Sequence, residues 1–110
     1  MLEYLFGSKY QEKVLIYLCL HGKANATELS KCFNSSLDPI QKVLKKLENG
    51  GLLVSFLEGK TRVFEWNPRY PFVEEIQDLA IKAYEFLPQD MQEEYRVAKR
   101  KRPRKTGKPL

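Results

Sequence analysis

The side chains best suited to metal binding or acid–base chemistry are Cys19, His21 and Cys32. His21 precedes Gly22 at a predicted helix end, where an imidazole usually caps carbonyls and meets the negative end of the helix dipole. Unpaired thiols in a chain without a visible secretory signal most often serve as buried apolar packing. These three residues lack the clustered ligands of a metal cage. We therefore predict no metal site and no cofactor.

The stretch LFGSK at residues 5–9 is similar to the Gly-Ser start of a nucleotidyltransferase motif. That chemistry needs two metal-binding carboxylates on a downstream strand, and no such pair follows. We therefore predict that the protein is not an enzyme. The sequence also has no apolar run near the roughly 18 residues of a membrane span and no basic region of a signal peptide. These features predict a single cytoplasmic domain without membrane contact.

Charge is distributed unevenly along the chain. The formal net charge is +5, and the segment from Arg96 to the end contains eight basic residues and no acid, so that residues 1–95 sum to −3. Like charges repel and this segment has little to bury, which predicts a disordered tail over 99–110. Such a tail on a mildly acidic domain indicates a polyanionic partner.

Apolar periodicity predicts three helices in the first half of the chain. Ser8 caps the first helix, which Gly22 ends, and Asn25 with Glu28 forms the capping box of the second. The third covers 36–49, with Ser35 or Ser36 as the cap. At about 100° per residue one of its faces is apolar and the opposite face is polar and mostly basic. The third helix is therefore predicted to be half buried and half exposed.

Two β-rich runs follow, over 52–57 and 61–66, joined by Glu58-Gly59-Lys60 in a predicted hairpin. A long helix is predicted over 71–87, within a domain of residues 1–88, and a short polar helix over 89–98. Helix, turn, helix and hairpin in this order predict a mainly α, α+β winged helix-turn-helix: three helices plus a two-stranded wing, with a long C-terminal helix and a basic tail. The third helix would enter the major groove of double-stranded DNA, and the wing at 58–62 would lie on the backbone or in the minor groove. The predicted contacts are Ser35, Ser36, Asp38, Gln41, Lys42, Lys45, Lys60, Thr61 and Arg62, and the family resemblance described next implies Thr27 as a further contact. Asp38 either accepts a hydrogen bond from a cytosine amino group or only favours the helix N-terminus.

The segment SSLDPIQKVLKKLENGGLLVSFLEGKTRVFEWNPRYP resembles the recognition helix and wing of ArsR-type winged-helix regulators. The LFGS start, NPRYPF after the wing and the RPR-x-x-GKPL tail also resemble a group of small single-domain prokaryotic winged-helix proteins. The resemblance implies a cytoplasmic transcriptional regulator that forms a homodimer. It places the exposed recognition-helix positions at Ser36, Gln41, Lys42 and Lys45. It places the basic tip of the wing at Lys60 and Arg62, and the polar pair of the second helix at Thr27 and Glu28.

The sequence departs from the ArsR-type pattern in two places. Phe56 and Leu57 occupy wing positions that are often arginine. The metal-sensing segment E-L-C-x-C-D corresponds here to E-L-S-K-C-F-N, in which Ser30 replaces the first cysteine and Cys32 remains. Metal sensing is therefore not expected, and no small-molecule effector can be identified from the sequence.

The basic tail has two open interpretations. Arg102-Pro103-Arg104 is similar to the core of an AT-hook, which lies in a narrow A·T-rich minor groove, although Lys101 replaces the usual glycine. The tail is then an arm in the groove that uses Arg100, Arg102, Arg104 and Lys105. Alternatively, it binds any polyanion, including RNA.

The long helix carries more apolar residues than one small domain needs to bury. Its Val73, Ala80 and Leu87 repeat every seven residues, and this surplus predicts helix pairing between two copies. The predicted dimer interface is Phe72, Ile76, Leu79, Ala83 and Phe86. We interpret the whole as a homodimeric, sequence-specific DNA-binding regulator, and as a repressor because the sequence shows no second domain. The alternative is an adaptor that docks a protein through Phe56 and Leu57 while the tail binds nucleic acid non-specifically.

Overall fold

The computed structural model describes residues 2–95, which form a helical domain with one small sheet. A further run, 89–95, is helical up to the last described residue. This architecture confirms the predicted α+β, mainly helical class. The elements are α1 (Glu3–Phe6), α2 (Lys9–His21), β1 (Lys23–Asn25), α3 (Ala26–Cys32), α4 (Leu37–Asn49), β2 (Leu53–Glu58), β3 (Thr61–Trp66) and α5 (Val73–Glu85).

Side-chain caps begin two of the helices as the sequence predicted. The Ser8 hydroxyl accepts a hydrogen bond from the backbone N–H of Gln11 at 3.1 Å and starts α2. The Asn25 side chain accepts from the N–H of Glu28 at 2.8 Å, and the Glu28 carboxylate accepts from the N–H of Asn25 at 3.2 Å. This reciprocal pair is the capping box of α3. Ser36 occupies the N-cap of α4 without a side-chain cap bond.

The sheet has three strands rather than the two predicted, in the order β1-β3-β2. β1 pairs antiparallel with β3 and places Ala24 opposite Phe64. Three residues are too few to show the alternation that marks a strand in sequence, and the last residue of β1, Asn25, is also the N-cap of α3. The two-residue turn between β2 and β3 contains Gly59, whose φ of 66° lies in the left-handed region that glycine adopts without strain.

Side chains of the wing alternate between two faces, because successive residues of a strand point to opposite sides. Leu53 is 1% exposed and Ser55 bonds to α4, so these residues and Leu57 lie on the side of the core and of α4. Val54 and Phe56 lie on the outer face. Phe56 and Leu57 therefore lie on opposite faces of β2, and the prediction that they form one adaptor surface is wrong.

The core lies where α2 meets α3, α4, α5 and the sheet. Residues 14–18 of α2 are at most 1% exposed, which puts a full turn of this helix inside the domain. The Cys19 thiol donates to the carbonyl of Gln77, while Leu87 lines one small cleft together with Lys9 and Lys13 in the first half of α2. The helices α2 and α5 therefore run antiparallel.

The helix α5 begins and ends two residues inside the predicted 71–87. Its Ala80 is 0% exposed, Leu87, just after its end, is 9% exposed, and Val73 packs against the core. The sequence predicted that these three residues form surplus apolar surface for pairing with a second copy. This prediction is wrong, because they face the core of their own chain.

The helical run 89–95 folds back onto the aromatic part of the core. Tyr95 is 2% exposed. The centroid of its ring lies 5.4 Å from that of Phe33 and 5.7 Å from that of Tyr84, in edge-to-face contacts. Lys13 of α2 forms an ion pair with Glu94 at 3.3 Å. Residues 96–98 of the predicted polar helix, and the predicted disordered tail over 99–110, lie outside the described residues.

Candidate nucleic-acid interface

The helix α4 divides its residues between the core and solvent. Ile40 and Leu44 are 0% and 1% exposed and fix the inner face, and Val43 and Leu47 are also buried. Gln41 and Lys45 are exposed, one turn apart, on a second face. The buried side anchors the helix, so the polar side keeps a fixed orientation towards solvent.

A cleft of about 560 Å³ lies between the start of α3, the exposed side of α4 and the wing. Six of the predicted DNA contacts line it, although they come from three elements far apart in sequence: Thr27, Gln41, Lys45, Lys60, Thr61 and Arg62. Three of the six are cations. The fold therefore gathers cationic and hydrogen-bonding side chains into one cleft beside the exposed face of α4.

The remaining predicted contacts on α4 lie towards its N-terminal end, outside the residues that line the cleft. Asp38 forms an ion pair with Lys42 at 3.2 Å, with the two side chains 73% and 76% exposed. Exposed pairs at i,i+4 contribute about 0.3–0.5 kcal/mol. This pairing gives Asp38 a role within the helix, and it is weak enough for Lys42 to exchange Asp38 for another partner. Ser35 and Ser36 precede this turn, and the Ser35 hydroxyl donates to the Ser36 carbonyl at 2.9 Å.

Other cleft residues were not singled out from the sequence. Asn25 and Ala26 line the cleft at the start of α3, and Glu48 and Asn49 line it on the last turn of α4. The signal for the last two was helical spacing, because they follow Lys45 by three and four residues and therefore lie on the same side of α4. The predicted tail contacts Arg100, Arg102, Arg104 and Lys105 lie outside the described residues.

A hydrogen-bonded relay connects α4 to both strands of the wing. The Ser55 hydroxyl donates to the Glu48 carboxylate at 2.5 Å, and Arg62 Nη1 donates to the same hydroxyl at 3.0 Å. Of the described residues that line the cleft, Glu48 is the one acid. The relay thus fixes a cation of β3 relative to the end of α4.

The two cysteines bond to separate parts of the chain. The Cys19 thiol donates to the carbonyl of Gln77 at 3.6 Å, and the Cys32 thiol donates to that of Glu94 at 3.4 Å. Over residues 2–95 no group of three or more His, Cys, Asp or Glu side chains is placed to hold a metal ion. Burial, with a smaller contribution from Asp78, raises the pKa of Cys19 to about 12.

Cys19 is therefore expected to stay protonated and to resist alkylation. A thiol with this pKa at pH 8 has roughly 1,000-fold less thiolate than an ordinary cysteine, and only the thiolate attacks iodoacetamide. Mass spectrometry after timed alkylation should show slow modification of Cys19 in the folded protein and rapid modification in denaturant. Equal rates in both states would contradict the burial of this thiol.

The long helix has an exposed apolar stripe opposite its buried one. Phe72, Leu79 and Phe86 are spaced by seven residues and are 59%, 36% and 68% exposed. Ile76 is half-buried against the core. Ala83, predicted as part of a dimer interface, is 4% exposed and belongs to the core of its own chain. Ala83 therefore offers almost no surface to a second copy, because α5 turns this position inwards.

No helix between residues 2 and 95 combines the length and the apolar character that crossing a membrane requires.

Solved structures with the same fold confirm the winged helix-turn-helix architecture. The adhesin competence repressor AdcR from Streptococcus pyogenes superposes with a TM-score of 0.60 at 18% identity, over 84% of this chain and 66% of that one. The antimony-specific transcriptional repressor AntR gives 0.60 at 17% identity, over 76% and 74% of the two chains. A MarR-family transcriptional regulator from Rhodococcus sp. RHA1 gives 0.58 at 15% identity, over 98% and 80%. No protein-family model and no curated protein matches the sequence.

These likenesses define the fold class and extend no further. A MarR-family protein is among them, so they do not single out the ArsR-type group that the sequence resembles. The chain spans 66% of the length of AdcR.

Proposed function

We propose that the protein is a non-enzymatic, DNA-binding transcriptional regulator that recognises duplex DNA with α4 and the wing. The observation that carries the proposal is the cleft in which Thr27, Gln41, Lys45, Lys60 and Arg62 converge beside an exposed helix face. Basic residues on one helix alone are weak evidence for DNA binding, because such a face is usually just exposed to solvent. Convergence of cations from a helix and a hairpin onto one cleft is typical of a surface that follows a charged backbone.

Each element has a distinct role in this proposal. The α4 helix enters the major groove, where the Gln41 amide matches the donor and acceptor of adenine and Lys45 contacts guanine or a phosphate. Lys60 and Arg62 of the wing bind the backbone or the minor groove beside it. The eight basic residues from Arg96 onward neutralise further phosphates, which offsets the net −3 of residues 1–95.

We further propose that the regulator is a homodimer and a repressor. AdcR and AntR, two of the proteins that share its fold, are repressors. The exposed stripe of Phe72, Leu79 and Phe86 supplies an apolar helix face for a second copy. Two copies would place two α4 helices on a palindromic site.

Phe86→Glu should therefore convert the dimer to a monomer, because a carboxylate on the most exposed residue of the stripe would be desolvated in a paired interface. Sedimentation equilibrium measures the mass, and Glu85→Gln, which changes the charge of the neighbouring exposed residue, is the matched control. A wild-type chain that sediments as a monomer at tens of micromolar would contradict the dimer.

The experiment that tests DNA recognition is selection of fragments from a sheared genomic pool by the full-length protein at two salt concentrations. The proposal predicts enrichment of a few fragments that share a common, inverted-repeat motif, with the same fragments selected at both salts. Uniform capture of all fragments, lost together at the higher salt, would overturn sequence-specific recognition.

A protein-docking adaptor is the second candidate function. The outer face of β2, an edge strand of the sheet, exposes Val54 and Phe56 at 37% and 36%. If DNA recognition is the function, Val54→Ser with Phe56→Ser should change the affinity for a selected duplex by less than about twofold, because neither residue lines the cleft. Loss of a co-purifying protein with unchanged DNA binding would favour the adaptor.

A further inference from the structure

An acidic residue in a basic cleft is the least expected feature of the candidate interface. Glu48 occupies the last turn of α4, where a negative charge opposes the helix dipole. In the proposed function it also lies beside the phosphates of DNA. Both effects disfavour an acid at this position. The hydrogen bonds that Glu48 makes within the protein are therefore the place to look for its role.

The relay gives Ser55 two simultaneous bonds with opposite polarity. The Ser55 hydroxyl donates its one hydrogen bond to Glu48 Oε2, with an oxygen–oxygen distance of 2.5 Å. The same hydroxyl accepts a hydrogen bond from Arg62 Nη1 at 3.0 Å. A hydroxyl is the smallest group that can donate and accept at once. Ser55 therefore joins a carboxylate of α4 to a guanidinium of β3 through one atom.

The strand register explains why Arg62 reaches this hydroxyl. Arg62 lies opposite Leu57, and Ser55 is two residues back on β2, on the same face. Such diagonal neighbours lie within reach of a long side chain. The Arg62 side chain therefore leans back towards α4 and away from the tip of the hairpin.

We propose that Ser55 is a positioning residue for DNA recognition: with Glu48 as its anchor, it holds Arg62 at a fixed place beside α4 and so couples the wing to the recognition helix. The inference rests on the proposed function. An unrestrained arginine follows any phosphate and stabilises all duplexes equally. An arginine held relative to α4 meets the backbone or minor groove only when α4 is in its correct register, and it therefore favours the specific complex.

The test compares Ser55→Ala, Ser55→Thr and Arg62→Gln in the full-length protein, with a selected duplex and a scrambled one, across a series of salt concentrations. Ser55→Ala should weaken binding to the selected duplex by about tenfold. Binding to the scrambled duplex should stay within about twofold and the salt slope should not change, because no charge is lost. Ser55→Thr, which keeps the hydroxyl, should restore discrimination. Arg62→Gln should weaken both duplexes and reduce the salt slope by about one per protomer.

The combined variant gives the decisive comparison. In an Arg62→Gln background, Ser55→Ala should have no further effect, because Ser55 then has no arginine to position. Glu48→Ala removes the anchor without altering the strand, and it should reproduce the loss of discrimination. Equal thermal unfolding midpoints of these variants and the wild type exclude a general loss of folding.

Two results would overturn the proposal in distinguishable ways. If the wild type prefers the selected duplex and both Ser55→Ala and Glu48→Ala keep that preference, the relay has no role in recognition and the proposed function stands. If the wild type binds both duplexes equally, sequence recognition fails and the positioning role fails with it.

Discussion

Gln41→Glu combined with Lys45→Glu should abolish selective DNA binding, with a loss on the order of 100-fold or more. The two residues lie one turn apart on the exposed side of α4 and line the cleft. Each base or phosphate contact contributes about 1–3 kcal/mol, and the substitutions replace two such contacts by repulsion from phosphates. Fluorescence anisotropy with a labelled selected duplex measures the effect.

The matched control changes the same residue types elsewhere. Lys31→Glu with Gln89→Glu alters the net charge by the same amount at two exposed positions outside the cleft. This control should weaken binding by only a few-fold, through the overall charge. Equal losses in the two double variants would contradict a recognition role for α4 and would reduce the effect to net charge.

A protein that ends at Tyr95 should still prefer the selected duplex but bind it far more weakly at physiological salt. Removal of residues 96–110 deletes eight cations and no acid. Each neutralised phosphate contributes about −0.9 to the slope of log K against log salt, so a fully engaged tail would steepen the slope by about 7 per protomer. Titrations between 50 and 200 mM salt should therefore give a much shallower line for the shortened chain.

A full-length variant with Arg100, Arg102, Arg104 and Lys105 changed to Gln controls for the loss of chain length. The slope of log K against log salt for this variant should lie between those of the wild type and the shortened protein, in proportion to the charge that remains in the tail. If the full-length protein prefers the selected duplex and the protein that ends at Tyr95 does not, sequence recognition belongs to the tail and not to the cleft. Unchanged salt dependence would contradict an electrostatic role for the tail.

Local chemistry made several parts of this structure predictable. The caps at Ser8 and Asn25 depend on residues three positions apart, and both helices begin where the sequence indicates. The period of α4 separates its buried residues from Gln41 and Lys45 without any knowledge of partners. The glycine turn of the wing likewise follows from neighbouring residues alone.

Features that depend on distant partners could not be predicted in this way. The strand β1 is recognisable only because β3 lies beside it. Two apolar stripes of α5 fit a helix period equally well, and only packing against α2 decides that Ala80 and Ala83 are buried while Leu79 and Phe86 are exposed. The role of Glu48 depends on Ser55 and Arg62 from another part of the chain, which spacing along α4 does not reveal.

The most direct test of the central claim is an NMR titration of the ¹⁵N-labelled protein with the selected duplex. If the cleft between α3, α4 and the wing binds DNA, the largest shift changes should occur at Thr27, Gln41, Lys45, Lys60 and Arg62, and the signals of Val54 and Phe56 should change little. Large changes on the outer face of β2, with the cleft signals unmoved, would contradict the account.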